Sequence, residues 1–276
     1  MDSACVANVD DSFGTILCDS MWRFWEVLKR LWPIYLLVFL PMNAFSWVVS
    51  TALEIFFNSL SEQPEFTNLF TGVSGTLNAF VGFLAMGATL RTVRDVEEGR
   101  DVGWTTVLRE SLGRWAATLA VAFLFGLACM FLFCFCVVPS IIFGVFFVFS
   151  VHAVALGDCG IIESLKQSKD LVTGKWWWTA LLVGVLSGIA GMAAYSANIG
   201  FVLGRIPLVV SKMLQYKGTD VPFAVTVVAY FVDFFSCVVF FSLAYVVQCF
   251  PLVGQSLLYL RRKAARERGA SGEFRG

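Results

Sequence analysis

The sequence predicts an all-α, polytopic membrane bundle of six transmembrane helices with amphipathic interfacial helices. Composition, long charge-free runs, and the alternation of basic residues between those runs predict it. Of 276 residues, 58% are hydrophobic, 16% aromatic and only 14% charged, whereas soluble domains are about half apolar and about a quarter charged. With 28 phenylalanines and a mean hydropathy of +0.76, a 30.5 kDa chain carries more apolar surface than one core can hide. Much of that surface must face lipid. The formal net charge is zero, which removes the electrostatic basis for binding nucleic acid.

The spans follow from the runs that lack Asp, Glu, Lys and Arg, because a charge at mid-bilayer costs roughly 2.5–3.5 kcal/mol on insertion scales. Leu31 to Leu53 is the first and Phe66 to Leu90 the second. Trp115 to Gly157 is 43 residues long, about twice what a hydrocarbon core of about 30 Å accommodates as helix. It is expected to be two helices, with Val137-Val138-Pro139-Ser140 as the hairpin tip, because proline removes an amide donor. Trp176 to Gly204 is the fifth span, and Val221 to Leu260, interrupted only by Asp233, contains the sixth.

Charge placement supports six spans rather than seven. The connectors on one side carry three, five, three and six basic residues, and the other side carries three, all between spans 5 and 6. By the positive-inside rule both termini are cytoplasmic. A seventh span would export the tail beginning Arg261-Arg262-Lys263. Residues 1–30 are then a cytoplasmic segment with an amphipathic helix, 31–260 a six-span membrane domain, and 261–276 a basic cytoplasmic tail. The first twenty residues hold four aspartates and no Lys or Arg, unlike a cleavable signal, so the first span is expected to be a retained anchor. Plasma membrane and endomembrane are both compatible with this pattern.

Three cytoplasmic segments share a plan, which suggests three parallel hairpin repeats. Each begins near a glycine, continues with apolar residues at helical spacing, and meets tryptophan at a span. The first places Ile16, Ser20, Phe24, Val27 and Leu31 on one face before Trp32. The second places Leu108, Ser111, Leu112 and Trp115 together after Gly103. The third runs from Gly160 through Ile161, Leu165, Ser168 and Val172 to Gly174 and Trp176-Trp177-Trp178, with Asp158 as the expected N-cap. Narrow apolar faces flanked by Lys166 and Lys169 suit helices lying in the headgroup layer, with a protein-docking surface as the other reading.

The stretch Gly160 to Trp176, G-I-I-E-S-L-K-Q-S-K-D-L-V-T-G-K-W, follows a span led by Pro139. Together with F-G-T-I-L-C-D-S and L-L-V-F-L-P around the first span and L-L-Y-L-R-R-K at Leu257 to Lys263, it resembles a group of six-span proteins. That group includes the membrane domain attached to some bacterial glycerophosphoryl diester phosphodiesterases and a set of uncharacterised plant transmembrane proteins. The resemblance implies an all-helical six-span module, with Gly160, Ser168, Gly174 and Lys175 as its connector signature. It does not imply catalysis: the phosphodiesterase needs a separate barrel domain, and His152 is the only histidine here.

No nucleotide-binding loop, nucleophile elbow or zinc-protease motif occurs. Four of the eight cysteines, Cys129, Cys134, Cys136 and Cys237, lie in apolar helix, where a thiol acts as a small hydrophobe, and Cys134 and Cys136 point to different helix faces. No metal, cofactor or catalytic residue is expected. Cys159 and Cys249 stand near membrane edges as palmitoylation candidates. The small-residue face of Gly184, Gly188 and Gly191 is expected to serve either helix packing within the chain or a homodimer seam.

Asp233 is the sharpest polar signal. If the last span begins near Val221, Asp233 is close to mid-bilayer and must face the bundle, with Tyr230, Ser236 and Thr226 on its side of the helix. If Phe234 to Leu260 alone spans, Asp233 is at the outer interface. His152, about five residues from the cytoplasmic end of its span, is either a satisfied near-surface histidine or a proton relay.

The leading functional reading is a non-enzymatic membrane module that organises the bilayer or a protein partner at its cytoplasmic connectors. The alternative is a transporter or lipid-handling protein that uses an intramembrane carboxylate. An intramembrane enzyme comes third, because no nucleophile and base can be paired.

Overall fold

A computed structural model describes residues 13–58, 65–157, 159–218 and 220–271. Among these residues the chain is helical, with no strands. The elements are α1 (Phe13–Ile34), a π-helical turn (Tyr35–Phe39), α2 (Leu40–Asn58), α3 (Glu65–Glu97), α4 (Trp104–Phe135), α5 (Val137–Phe147), α6 (Ser150–Ala155), α7 (Ile161–Val172), α8 (Trp176–Tyr216) and α9 (Phe223–Ser271). Five helical stretches among the described residues are long and apolar enough to cross a membrane: Gly14–Leu53, Trp104–Phe135, Val137–Ala155, Trp176–Gln215 and Phe223–Arg268.

The 43-residue run does divide in two, but the break is at Cys136 (φ −169°, ψ 144°) rather than at Pro139. Pro139 is the third residue of α5. There its missing N–H is one the first helical turn leaves unpaired in any case, so proline is accommodated rather than breaking the helix. A second break, at Val148 and Phe149, separates α5 from α6.

The three segments expected to be cytoplasmic differ among themselves. The first two are continuous with the spans that follow, as the lower parts of α1 and α4. Only the third is a separate helix, α7, which ends before Gly174 (φ +84°) supplies the left-handed residue of its C-terminal turn. The N-cap of α7 is Gly160, whose N–H donates to Glu163 Oε2 at 3.4 Å. Asp158 lies outside the described residues.

The chain forms two compact units: Met1–Leu31 with Met86–Ile189 and Cys249–Gly276, and Trp32–Ala85 with Ala190–Gln248. The first has a core that includes Ile16, Leu90, Phe149, Val172, Leu186 and Tyr259. Val172 and Ser168 on α7 are fully buried there. The apolar face of α7 is therefore packed on protein, which corrects the expectation that it lies in the headgroup layer. Its serines explain the difference: a face with Ser164 and Ser168 at its centre suits close packing on backbone better than insertion into lipid. What projects from this unit is Ile162, Trp22, Trp25 and Trp177, the last 81% exposed. Aromatic rings of this kind favour the membrane interface.

The tail is also structured. Residues 261–271 extend α9. Arg262, only 7% exposed, donates to Leu171 O at 3.2 Å and Thr179 Oγ1 at 2.6 Å. Arg261 pairs with Asp19, and Arg266 with Asp170 at 2.9 Å.

Candidate functional site

In the second unit, α2, α8 and α9 meet around Asp233, which is 1% exposed. Arg205 Nε donates to Asp233 Oδ1 at 3.0 Å, and Trp47 Nε1 donates to Oδ2 at 2.8 Å. Both carboxylate oxygens are thus engaged, by residues of α8 and α2 rather than by neighbours on α9. Tyr230 instead lies under the Lys212 ammonium, 5.8 Å from its ring centre, and Thr226 accepts from Gln215 Nε2 at 3.1 Å. Ser236 sits against Gly204, where a Cβ would overlap its hydroxyl, and Phe240 fills the space a side chain at Gly200 would need. Two glycines on α8 therefore let α9 approach closely and bring Arg205 opposite Asp233.

Arg205 is itself half-exposed, its side chain being 45% exposed, and Lys212 and Lys217 lie still nearer the turn between α8 and α9.

Asn43, one helical turn before Trp47, is the polar residue in this unit that sequence reading missed. It is 1% exposed, and neither amide atom has a hydrogen-bond partner. The hydroxyl of Ser242 on α9 is likewise buried and unpartnered. The π-helical turn ends four residues before Asn43, and its Phe39 packs on Tyr245, ring centres 6.3 Å apart. A lone buried amide costs free energy unless it serves a ligand or water. Asn43→Leu, of similar volume, should therefore leave unfolding stability unchanged or raise it by about 1 kcal/mol; a loss of stability in a detergent melt would show that Asn43 is bonded after all.

His152, in the first unit, is buried in the protein. It is 3% exposed and lies between Phe149 and Tyr259 at ring distances of 5.9 and 6.2 Å. Its Nδ1 is 3.3 Å from Val148 O, while Nε2 has no hydrogen-bond partner. Cys249 is buried, 3.4 Å from Thr89 Oγ1, so it is no palmitoylation site in this fold. Cys159 is half-buried and donates to Gln167 Oε1. Among the described residues, side chains added at Gly184, Gly188 or Gly191 would meet nothing within 4 Å, so no packing partner for that glycine face is found there.

The signature positions in the third connector have clear structural duties. Ser168 Oγ donates to Phe146 O at 2.8 Å and accepts from Phe149 N at 3.1 Å, closing the break between α5 and α6. Gly160 caps α7, Gly174 turns the chain, and the Lys175 N–H closes that turn on Val172 O at 3.0 Å. Among the described residues no group of His, Cys, Asp and Glu could hold a metal.

The described residues are all-helical, and their five long apolar helices and the composition fit a multi-pass membrane protein. No family model, curated protein or solved structure matches the chain. Its particular reading therefore rests on its own residues.

Proposed function

We propose that this chain is a non-enzymatic membrane module of six spans, both termini cytoplasmic, that organises the bilayer or a protein partner through its cytoplasmic connectors. The sixth span in this reading is α3, which carries the charge-free run Phe66 to Leu90. The observation that carries the proposal is a contact repeated in all three connectors. Ser20 lies beside Gly254 of α9, Ser111 beside Gly87 of α3, and Ser168 on the end of α5. The residue before each serine also reaches the end of an inward-running helix or the turn after it: Asp19 to Arg261, Glu110 to Arg91, Gln167 to Cys159. Each connector thus rests on the span that ends just before it, and the last span rests on the first connector. That pattern supports three hairpin repeats closed into a ring, and a ring held by ion pairs and buried serines suits a scaffold.

The likeness to the six-span membrane domain of the phosphodiesterases belongs to this reading, in its span plan and connector alone. Transport remains the second reading, favoured by the unpartnered Asn43 and weakened by the engagement of both Asp233 oxygens.

Tags at both termini should be reached only from the cytoplasmic side, and cysteines introduced from Ser61 to Glu65 should react only from the opposite side. Labelling of termini and loop from one side would sink the six-span arrangement. In reconstituted vesicles, ion and solute flux should match protein-free controls; a flux abolished by Asp233→Asn would favour transport instead.

A further inference from the structure

Arg114 is the last charged residue before the 43-residue apolar run, and Gly157 is the residue that ends it. The fold brings these two points together. A Cβ at Gly157 would stand 2.7 Å from Arg114 Cζ and 2.8 Å from Nε. Gly157 also has φ +81°, a backbone conformation that favours glycine, and the guanidinium lies over the space a side chain would take. The outcome is a built seat for one arginine.

That arginine has no counter-ion among the described residues, and it is exposed. The carboxylates of the neighbouring cluster are committed elsewhere: Glu110 to Arg91, Glu98 to Arg94 and Arg100, Asp95 to Arg100. The carbonyl of Leu156, which would attract a cation at this helix end, accepts from Arg94 at 3.0 Å. Such a site lowers its free energy by taking an anion. Its depth says which one, because both ends of an apolar hairpin meet there, at the level where lipid phosphates lie. A planar guanidinium fork matches phosphate oxygens two at a time.

We propose that the Arg114–Gly157 seat binds the phosphate group of an anionic phospholipid of the cytoplasmic leaflet. This rests on the reading that Trp115 to Gly157 crosses the membrane as a hairpin open to the cytoplasm.

The test uses the full chain, reconstituted in phosphatidylcholine with a minor share of phosphatidylglycerol, and counts co-purifying lipids by native mass spectrometry. Wild type should retain phosphatidylglycerol over phosphatidylcholine. Arg114→Gln should weaken that retention about tenfold, as expected for loss of a charge-assisted hydrogen-bonded pair. Arg114→Lys, which keeps the charge without the fork, should retain an intermediate amount, and Gly157→Ala should lose retention by unseating the arginine. Retention unchanged in Arg114→Gln would overturn the site, as would equal retention of the two lipids by wild type; a pairing of Arg114 with Asp158, outside the described residues, would give that result. Displacement of the lipid by an equal concentration of inorganic phosphate would assign the seat to a soluble anion and overturn the lipid assignment. Tag accessibility measured on the same samples separates these outcomes from a failure of the hairpin reading, since a wrong topology changes labelling in wild type as well.

Discussion

Ser168→Ala should lower unfolding stability by about 2–6 kcal/mol. Ser168 is fully buried, and its hydroxyl serves two backbone groups at once, accepting from Phe149 N and donating to Phe146 O. Both groups stand at the break between α5 and α6, where the helix cannot supply their partners. Removing the hydroxyl leaves a buried donor and a buried acceptor, and each costs about 1–3 kcal/mol. Ser164, one turn earlier and equally buried, is the control, since its hydroxyl bonds only to Ile161 O within α7. Ser164→Ala should cost about 1 kcal/mol or less. Melting curves of the three proteins in one detergent check this, and equal losses at 164 and 168 would show that the α5–α6 break does not depend on α7.

The same serine marks how much the sequence disclosed. Spans were legible because an absence of charge over twenty or more residues has one physical reading, and five of them reappear as long apolar helices. The helical face of the third connector was legible too, since Leu165, Ser168 and Val172 fall at steps of three and four. What covers that face was not. Periodicity identifies a side of a helix without naming its neighbour, and lipid and protein cores both accept Val172. The serine at its centre was the available signal, because a hydroxyl that bonds another element's backbone is useful only against protein.

Proline was misleading for a related reason. Pro139 does mark the neighbourhood of a helix break, but as an early residue of the new helix rather than as the tip. The partner of Asp233 was hidden because neighbours were sought on its own helix. Arg205, 28 residues earlier, lies as far before the turn between α8 and α9 as Asp233 lies after it, so antiparallel pairing places them side by side. Hairpin symmetry was the signal that could have found it. Asn43 left no such trace; an asparagine in an apolar run does not announce whether it is bonded.

Asp233→Lys should destabilise the second unit by about 3 kcal/mol or more, and the exchange Arg205→Asp with Asp233→Lys should recover much of that loss. The single change sets two cations 28 residues apart against each other and turns a donor toward the Trp47 N–H, which then has no acceptor. Breaking a buried pair costs about 3–5 kcal/mol. Arg205 is nearly half exposed and can partly rehydrate, which places the expected cost at the low end. In the exchanged pair Trp47 still lacks its acceptor, so recovery is incomplete by about 1–2 kcal/mol. Trp47→Phe in the exchanged background removes that orphan donor and should restore the remainder. A double-mutant cycle on detergent melts gives the coupling directly, and a coupling near zero would mean that Arg205 and Asp233 do not interact. The cycle also bears on function. A carboxylate that carries ions must alternate between bound and free, whereas one held by Arg205 and Trp47 serves best by staying still. Exchanged protein that folds and behaves as wild type in vesicles would assign Asp233 to holding α2, α8 and α9 together; folded exchanged protein with altered flux would return it to the transport reading.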